Sequence, residues 1–170
     1  MKPIFFFLFV AAFCFSCQDD VVDNQPTELS SAQIADLKKA DHKLFHASLR
    51  QHLNATFNRD IETLESLMSP DGMMYMMRPN TQVIHSTESY IDYHRSWFAD
   101  DRWKLSGSIT DSHVGTDVGT AVVDVRYEIP NLNGKAYWNE LVISYVLKKV
   151  DDKWYVISDH SSSKRKSGAK

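Results

Sequence analysis

Apolar residues along this chain follow two spacings, three or four positions apart in the first half and two apart in the second. Behind Ser30 or Ser31, either of which can cap a helix, Ile34, Leu37, Phe45 and Leu49 recur on one face down to about Phe57, which predicts a long first helix. Asp60 opens a short second helix carrying Ile61, Leu64, Leu67 and Met68, and the turn chemistry of Ser69-Pro70-Asp71-Gly72 stops it. A methionine-rich strand follows from Met73 to Met77, and then Ser86 or Thr87 caps a third helix whose Ile91, His94, Trp97 and Phe98 fall on one face. After Trp103 the period changes: Ala121, Val123, Val125 and Tyr127 alternate with Val122, Asp124, Arg126 and Glu128. Asn131-Leu132-Asn133-Gly134 turns the chain into a strand from about Ala136 to Lys149, and Asp151-Asp152 turns it into a last strand from Lys153 to about Ser162. Helices first and an antiparallel meander afterwards define an α+β class.

One strand departs from simple alternation. Leu141 to Leu147 is apolar on both sides except at Ser144, whereas a sheet with one face in water alternates more cleanly. A cover on the second face is therefore expected, and a homodimer needs only one self-complementary patch.

The ends of the chain change the cellular picture. Ile4 to Phe15 is apolar and uncharged, and follows Lys2; the run is too short for the roughly 20 residues of a spanning helix and has the layout of a secretory signal. Cys14-Phe15-Ser16-Cys17 resembles a lipobox, and the acidic pair Asp19-Asp20 resembles the surface-export signals of Bacteroidetes lipoproteins. The expected organisation is a signal peptide over 1–16, lipidation at Cys17, a tether over 17–30, a folded domain over 31–163 and a basic unstructured tail over 164–170. That places the protein in the cell envelope, lipid-anchored at the outer membrane of a Gram-negative bacterium, with the anchor as its membrane contact. Both of its 2 cysteines lie in the leader region, so the domain is expected to fold without disulfides. The net charge is −3, and removal of Lys2 makes it more negative, which argues against nucleic acid as a partner.

Two stretches carry a family resemblance. Phe57-Asn58-Arg59-Asp60 with Leu64, Leu67, Pro70 and Asp71 resembles the end of the first helix of the nuclear transport factor two-like superfamily, where an Asp starts the second helix. Leu147 to Ser162, with its acidic turn, Trp154 and a His two residues before a Ser, resembles the closing hairpin of SnoaL-like domains and of the related calcium/calmodulin-dependent kinase association domains. The resemblance spans roughly Ser31 to Ser163. It departs at Ser158, where many relatives have His, and at Asp152, where glycine is usual. It implies a cone: a curved, mostly antiparallel sheet wrapped around about three helices, with a pocket for a small, partly apolar ligand at the open end. The same fold serves isomerases, dehydratases, cyclases and non-catalytic binders, and an interaction module with a vestigial pocket is a further alternative, so the fold alone assigns no catalysis.

Alternation in the last strand puts Trp154, Val156, Ser158, His160 and Ser162 on one face, so His160 and Ser162 are expected to look into the cone if Trp154 and Val156 pack on the helices. His160 could orient a ligand or act as a general base, or be a core histidine bonded to a backbone carbonyl. His52, near the apolar face of the first helix, carries the same two readings. Tyr75, Trp97, Trp103 and Tyr127 could line a pocket or simply fill the core. Met73, Met74, Met76 and Met77 split across two strand faces and suit core filling better than copper. His42 and His46 have the helical step of a metal pair but lack a third ligand. No phosphate-binding glycine loop or serine-nucleophile elbow is present, and no cofactor is expected. Cys17→Ala should move the protein from membranes to the soluble envelope fraction, because acyl chains contribute roughly 0.8 kcal/mol per buried methylene and the variant has none; fractionation and immunoblotting decide this, and continued membrane association of the processed variant would contradict the anchor.

Overall fold

The computed structural model describes residues 29–168; the leader, Cys17 and nearly all of the tether lie outside them. The elements are α1 (Ser31–Asn58), α2 (Ile61–Ser66), β1 (Tyr75–Met77), β2 (Val83–Ile84), α3 (Thr87–Phe98), β3 (Lys104–Val114), β4 (Val118–Leu132), β5 (Lys135–Val150) and β6 (Lys153–Lys166). They form an α+β cone: one unclosed sheet of six strands in the order β2-β1-β6-β5-β4-β3, antiparallel except where β1 runs parallel to β6. The two-residue strand β2 has no signature in the hydrophobic pattern.

Local chemistry sets the helix ends. Ser30 caps α1 in a reciprocal box with Gln33, and Arg59 ends it in a left-handed conformation at φ 58. Asp60 and Ser86 accept the backbone N–H groups of Thr63 and Ser89 at the starts of α2 and α3. The β4–β5 hairpin turns on Asn133 and Gly134, both at positive φ, and the β5–β6 hairpin on Asp151 and Asp152, also both positive. That geometry matches the strand twist, and Asp tolerates it better than branched residues do.

The core lies between the concave face of the sheet and the helices. From α1 come Phe45, Leu49 and Leu53, from α2 Leu64, from α3 Tyr90 and Ile91, and from the sheet Ala121, Val123, Val125, Leu147, Trp154 and Val156. Ile34 and Leu37 share the expected apolar face of α1 but are exposed, as is Leu44, so burial of that face begins at Phe45. Of the methionines, Met74 and Met76 are buried and Met73 is exposed. Trp154 is held at both ends: its ring stands edge-on to Phe45 at 5.3 Å and its Nε1 donates to Asp41 at 3.0 Å.

The last strand differs from simple alternation in a way that matters for function. Its pairing with β5 goes from Val156 opposite Leu147 to Ser158 opposite Val146, leaving Ile157 as an extra residue. Such a bulge exchanges the two faces of everything that follows. Trp154 and Val156 point inward as expected, but beyond the bulge it is Asp159 that is buried while His160 is exposed. The strand also continues to Lys166, so the basic residues expected in an unstructured tail are part of the sheet, with Lys164 paired to Asp124 and Arg165 to Glu140.

At Gly119, on β4, an added Cβ would lie 2.6 Å from Cε2 of Phe45. Phe45 is fully buried against Trp154 and has no room to retreat. Gly119→Ala should therefore cost about 1–3 kcal/mol in urea unfolding through overpacking, and Phe45→Leu in the same chain should recover part of that loss; additive effects of the two changes would contradict the contact.

Candidate functional site

The open half of the cone holds a cavity of about 1110 Å³. Tyr90, Tyr93, His94 and Trp97 of α3 line one side of it, spaced to share one helical face. The sheet supplies Val125 and Tyr127 from β4, Leu141, Ile143 and Tyr145 from β5, and Asp159 and Ser161 from β6. Register explains how Asp159 arrives there. Met76, Asp159 and Tyr145 are neighbours across β1, β6 and β5, and Ala121 extends the row onto β4. All four are buried, and Asp159 is the one ionisable acid among them.

Asp159 is 7% exposed, and among the described residues no side chain or backbone N–H is hydrogen-bonded to its carboxyl. Loss of water raises its pKa from 3.8 to about 7, with no neighbouring cation to oppose the shift. The surrounding groups are neutral for the same reason. Burial, and then the negative charge available on Asp159, push the Tyr90 and Tyr145 hydroxyls well above their ordinary value. Burial lowers His52 to about 3, assisted by repulsion from His94, and lowers His94 itself to about 4. His52 sits behind Tyr90, its Nε2 3.1 Å from the tyrosine oxygen, and His94 bonds the Tyr90 carbonyl through Nδ1 at 2.8 Å.

An aromatic wall flanks this polar end. Trp97 stacks on Trp103 at 4.4 Å and lies 6.3 Å from Tyr127, and Tyr93 stacks on the other side of Trp97 at 6.0 Å. Trp103 is fully buried, donating its Nε1 to the Trp97 carbonyl while the Arg59 guanidinium lies 4.0 Å over its ring. Arg78, bonded to Gln82, covers the Tyr93 ring at 4.5 Å near the mouth.

The sequence-derived residues are therefore dispersed. Trp97 and Tyr127 line the cavity, and His52 is buried one layer behind it. Tyr75 is exposed with its ring edge-on to His85, away from the cavity. His160 and Ser162 also border the cavity, but they lie opposite Ser144 and Val142 in register and are exposed, on the outer side of the strand. The bulge at Ile157 is the cause, and it also explains why Asp159 carried no signal in the alternation. Tyr90 and Tyr145 were hidden differently, as aromatic residues indistinguishable by pattern from core. His46 bonds Ser112 and not His42, and among the described residues no group of three His, Cys, Asp or Glu is placed to hold a metal ion.

Asp159 gives the protein a pH dependence of definite sign. The unfolded chain loses this proton near pH 4 and the folded chain near 7, so the folded state binds more protons between those values and stability falls as pH rises through the window. His52 and His94 act oppositely below about 6.5, where the unfolded chain binds the extra protons. Asp159→Asn isolates the acid: its stability gain over the natural chain should grow from near zero at pH 4 to about 4 kcal/mol above pH 7. Urea unfolding across that range measures the difference, and a gain independent of pH would show that the carboxyl is not desolvated.

Comparison with known proteins places this geometry. No curated protein sequence matches the chain. Among solved structures it is similar to a protein of the NTF2-like family from Streptomyces avermitilis, at 17% identity and TM-score 0.63 over 74% of this chain and 97% of that one. It is similar to a ketosteroid isomerase-like protein from Erwinia carotovora atroseptica, at 13% identity and TM-score 0.62 over 72% and 95%. A protein named for the calcium/calmodulin-dependent protein kinase type II association domain, from Thiobacillus denitrificans, matches at 16% identity and TM-score 0.61 over 71% and 94%. The family model for the SnoaL-like domain matches residues 46–165, which takes in the cavity, its acid and the bulged strand, and the chain belongs to that family.

Proposed function

We propose that this protein binds a small, largely apolar molecule in the cone cavity, as the ligand-holding domain of a lipid-anchored envelope protein. The observation that carries the reading is Asp159, a buried carboxyl without a hydrogen-bond partner among the described residues, at the inner end of an aromatic cavity. A desolvated polar group normally has a bonding partner, and one without it at a cavity surface is available to a ligand. Trp97, Tyr93 and Tyr127 offer flat apolar surface for the rest of the molecule. The layout of the leader, with Ser16 before Cys17, is what supports the lipid anchor and the envelope location.

Proton transfer to or from the ligand is the second reading, and the same residue favours it. A carboxyl with a pKa of about 7 is half-ionised near neutrality, where a general acid or base works best. Asp159 is better placed for that role than His160, which is exposed at the cavity's edge, or His52, which is held neutral behind Tyr90. One structural relative, described as ketosteroid isomerase-like, agrees with such chemistry without assigning it.

A second copy of the chain is the proposed cover for the outer sheet face. Register puts Val142, Ser144 and Val146 there, next to Val122, with Ile143 directed to the cavity. Ser144→Asp should turn a dimer into monomers by light scattering, and a wild-type chain that is monomeric at high concentration overturns the interface. For the cavity, a thermal-shift screen of small apolar molecules on the full-length protein should find ligands that add about 2.7 kcal/mol at a hundred times their dissociation constant. Trp97→Ala should weaken them. Asp159→Asn should retain binding but lose turnover if the site is catalytic, and weaken binding if it is not. Hits unaffected by both changes would sink the cavity as the binding site.

A further inference from the structure

Two buried histidines flank Tyr90, and their hydrogen bonds fix where hydrogens must go. His94 presents Nδ1 to the Tyr90 carbonyl at 2.8 Å. A carbonyl only accepts, so Nδ1 carries the ring hydrogen and Nε2 is left as an acceptor. His52 is the less obvious case, because its Nε2 faces a hydroxyl, 3.1 Å away, that can donate or accept.

The other ring nitrogen decides it. His52 Nδ1 is buried and has no partner among the described residues. With the hydrogen on Nδ1, a buried donor would go unbonded, whereas with the hydrogen on Nε2 only a lone pair does. Orphaned buried N–H groups are the rarer and costlier of the two. With Nε2 as donor, the Tyr90 oxygen accepts, and its own hydrogen must turn away from His52. Tyr90 lines the cavity and feels the Asp159 charge, but no hydrogen bond joins the two. That leaves a gap at the inner end of the cavity with a donor on one side and a carboxyl on the other.

We propose that His52 is a positioning residue: by donating from Nε2 it turns the Tyr90 hydroxyl hydrogen into the cavity, so that the inner end selects ligands carrying a hydrogen-bond acceptor such as a carbonyl or ether oxygen. The inference rests on the cavity being a ligand site, and it adds a polarity to that site. His52 touches no ligand. Its effect is exerted through Tyr90, which becomes a fixed donor where a free hydroxyl rotor could serve either role.

Nitrogen-15 histidine labelling of the full-length protein, with ring tautomers read from long-range nitrogen–proton couplings, tests the first half without any ligand. The expected result is Nε2–H at His52 and Nδ1–H at His94; Nδ1–H at His52 overturns the inference and leaves the cavity reading intact. The second half uses prodan, a naphthyl ketone whose emission moves to the red when its carbonyl accepts a hydrogen bond. It should bind the wild-type chain with emission to the red of that in an aprotic solvent, and Tyr90→Phe should weaken it about tenfold, the worth of one lost bond, and shift the bound emission to the blue. His52→Gln keeps an N–H donor at a similar reach and should stay within about threefold of wild type, a rescue that a purely structural histidine would not predict. Unchanged prodan emission in Tyr90→Phe overturns the inference. Absence of saturable prodan binding to the wild type counts against the cavity reading itself, and the tautomer measurement then decides the role of His52 separately.

Discussion

Strands of 15, 16 and 14 residues, β4, β5 and β6, must bend around a helix that is itself 28 residues long, and a regular ladder of that length does not bend far enough. The sheet bends by losing step. Register shifts occur after Ile109 in β3, after Ile129 in β4, and twice along β6, and each one adds local twist and redirects the side chains beyond it. The shift at Ile157 has the largest consequence. Before it, Trp154 and Val156 lock the sheet onto Phe45 and the rest of α1; after it, the same strand delivers Asp159 to the cavity. Curvature and chemistry thus share one structural cause, since the bulge that lets the sheet wrap the helix also selects which of two adjacent residues faces inward.

Burying that acid has an energetic consequence the rest of the core must absorb. A carboxyl raised to about pH 7 destabilises the folded state at neutrality by a few kcal/mol, a large fraction of a typical folding free energy of about 5–15 kcal/mol. Two features limit the damage. The neighbouring phenols and imidazoles are all neutral near pH 7, so Asp159 meets no like charge, and it borders a cavity in place of close-packed carbon. Fully buried Phe45 and Leu147 lie on the other side of the sheet row, where the Phe45 ring meets Gly119. The tightest packing and the buried acid are therefore held at different places in the cone.

The sequence made the elements legible and the site legible only in part, for one physical reason. Helix starts follow from Ser30, Asp60 and Ser86, and hairpin turns from Asn133-Gly134 and Asp151-Asp152, because caps and turns are local chemistry. Trp154 and Val156 face the core as alternation predicts, yet beyond the bulge His160 and Ser162 lie on the opposite face of the strand while still bordering the cavity. A bulge is decided by the partner strand and by the curvature required, and Ile157 carries no mark of it. Likewise Ile34 and Leu37 have the spacing of core residues, but the sheet ends before it can cover them. Trp97 and Tyr127 were recoverable because aromatic residues on inward faces of both a helix and a strand tend to meet at the same wall. Tyr90 was not, since nothing in its spacing distinguishes a packed phenol from one whose hydroxyl faces a cavity.

The arrangement also bears on how binding and catalysis relate in such a cone. Asp159, Tyr90 and Tyr145 are placed by three separate elements, yet each is fixed by packing independent of a ligand: register pairs Tyr145 with Asp159, and His52 holds Tyr90 from behind. A polar group fixed in advance costs no reorganisation when a ligand or a developing charge arrives. The aromatic wall of Trp97, Trp103 and Tyr127 is equally rigid, braced by the Trp103 hydrogen bond and by Arg59 over its ring. On the proposed reading, rigid polar and apolar surfaces that meet at one cavity end would select a ligand by shape and polarity together. Whether such a ligand is only held, or also exchanges a proton, then depends on a single distance: that between its labile hydrogen and the carboxyl of Asp159.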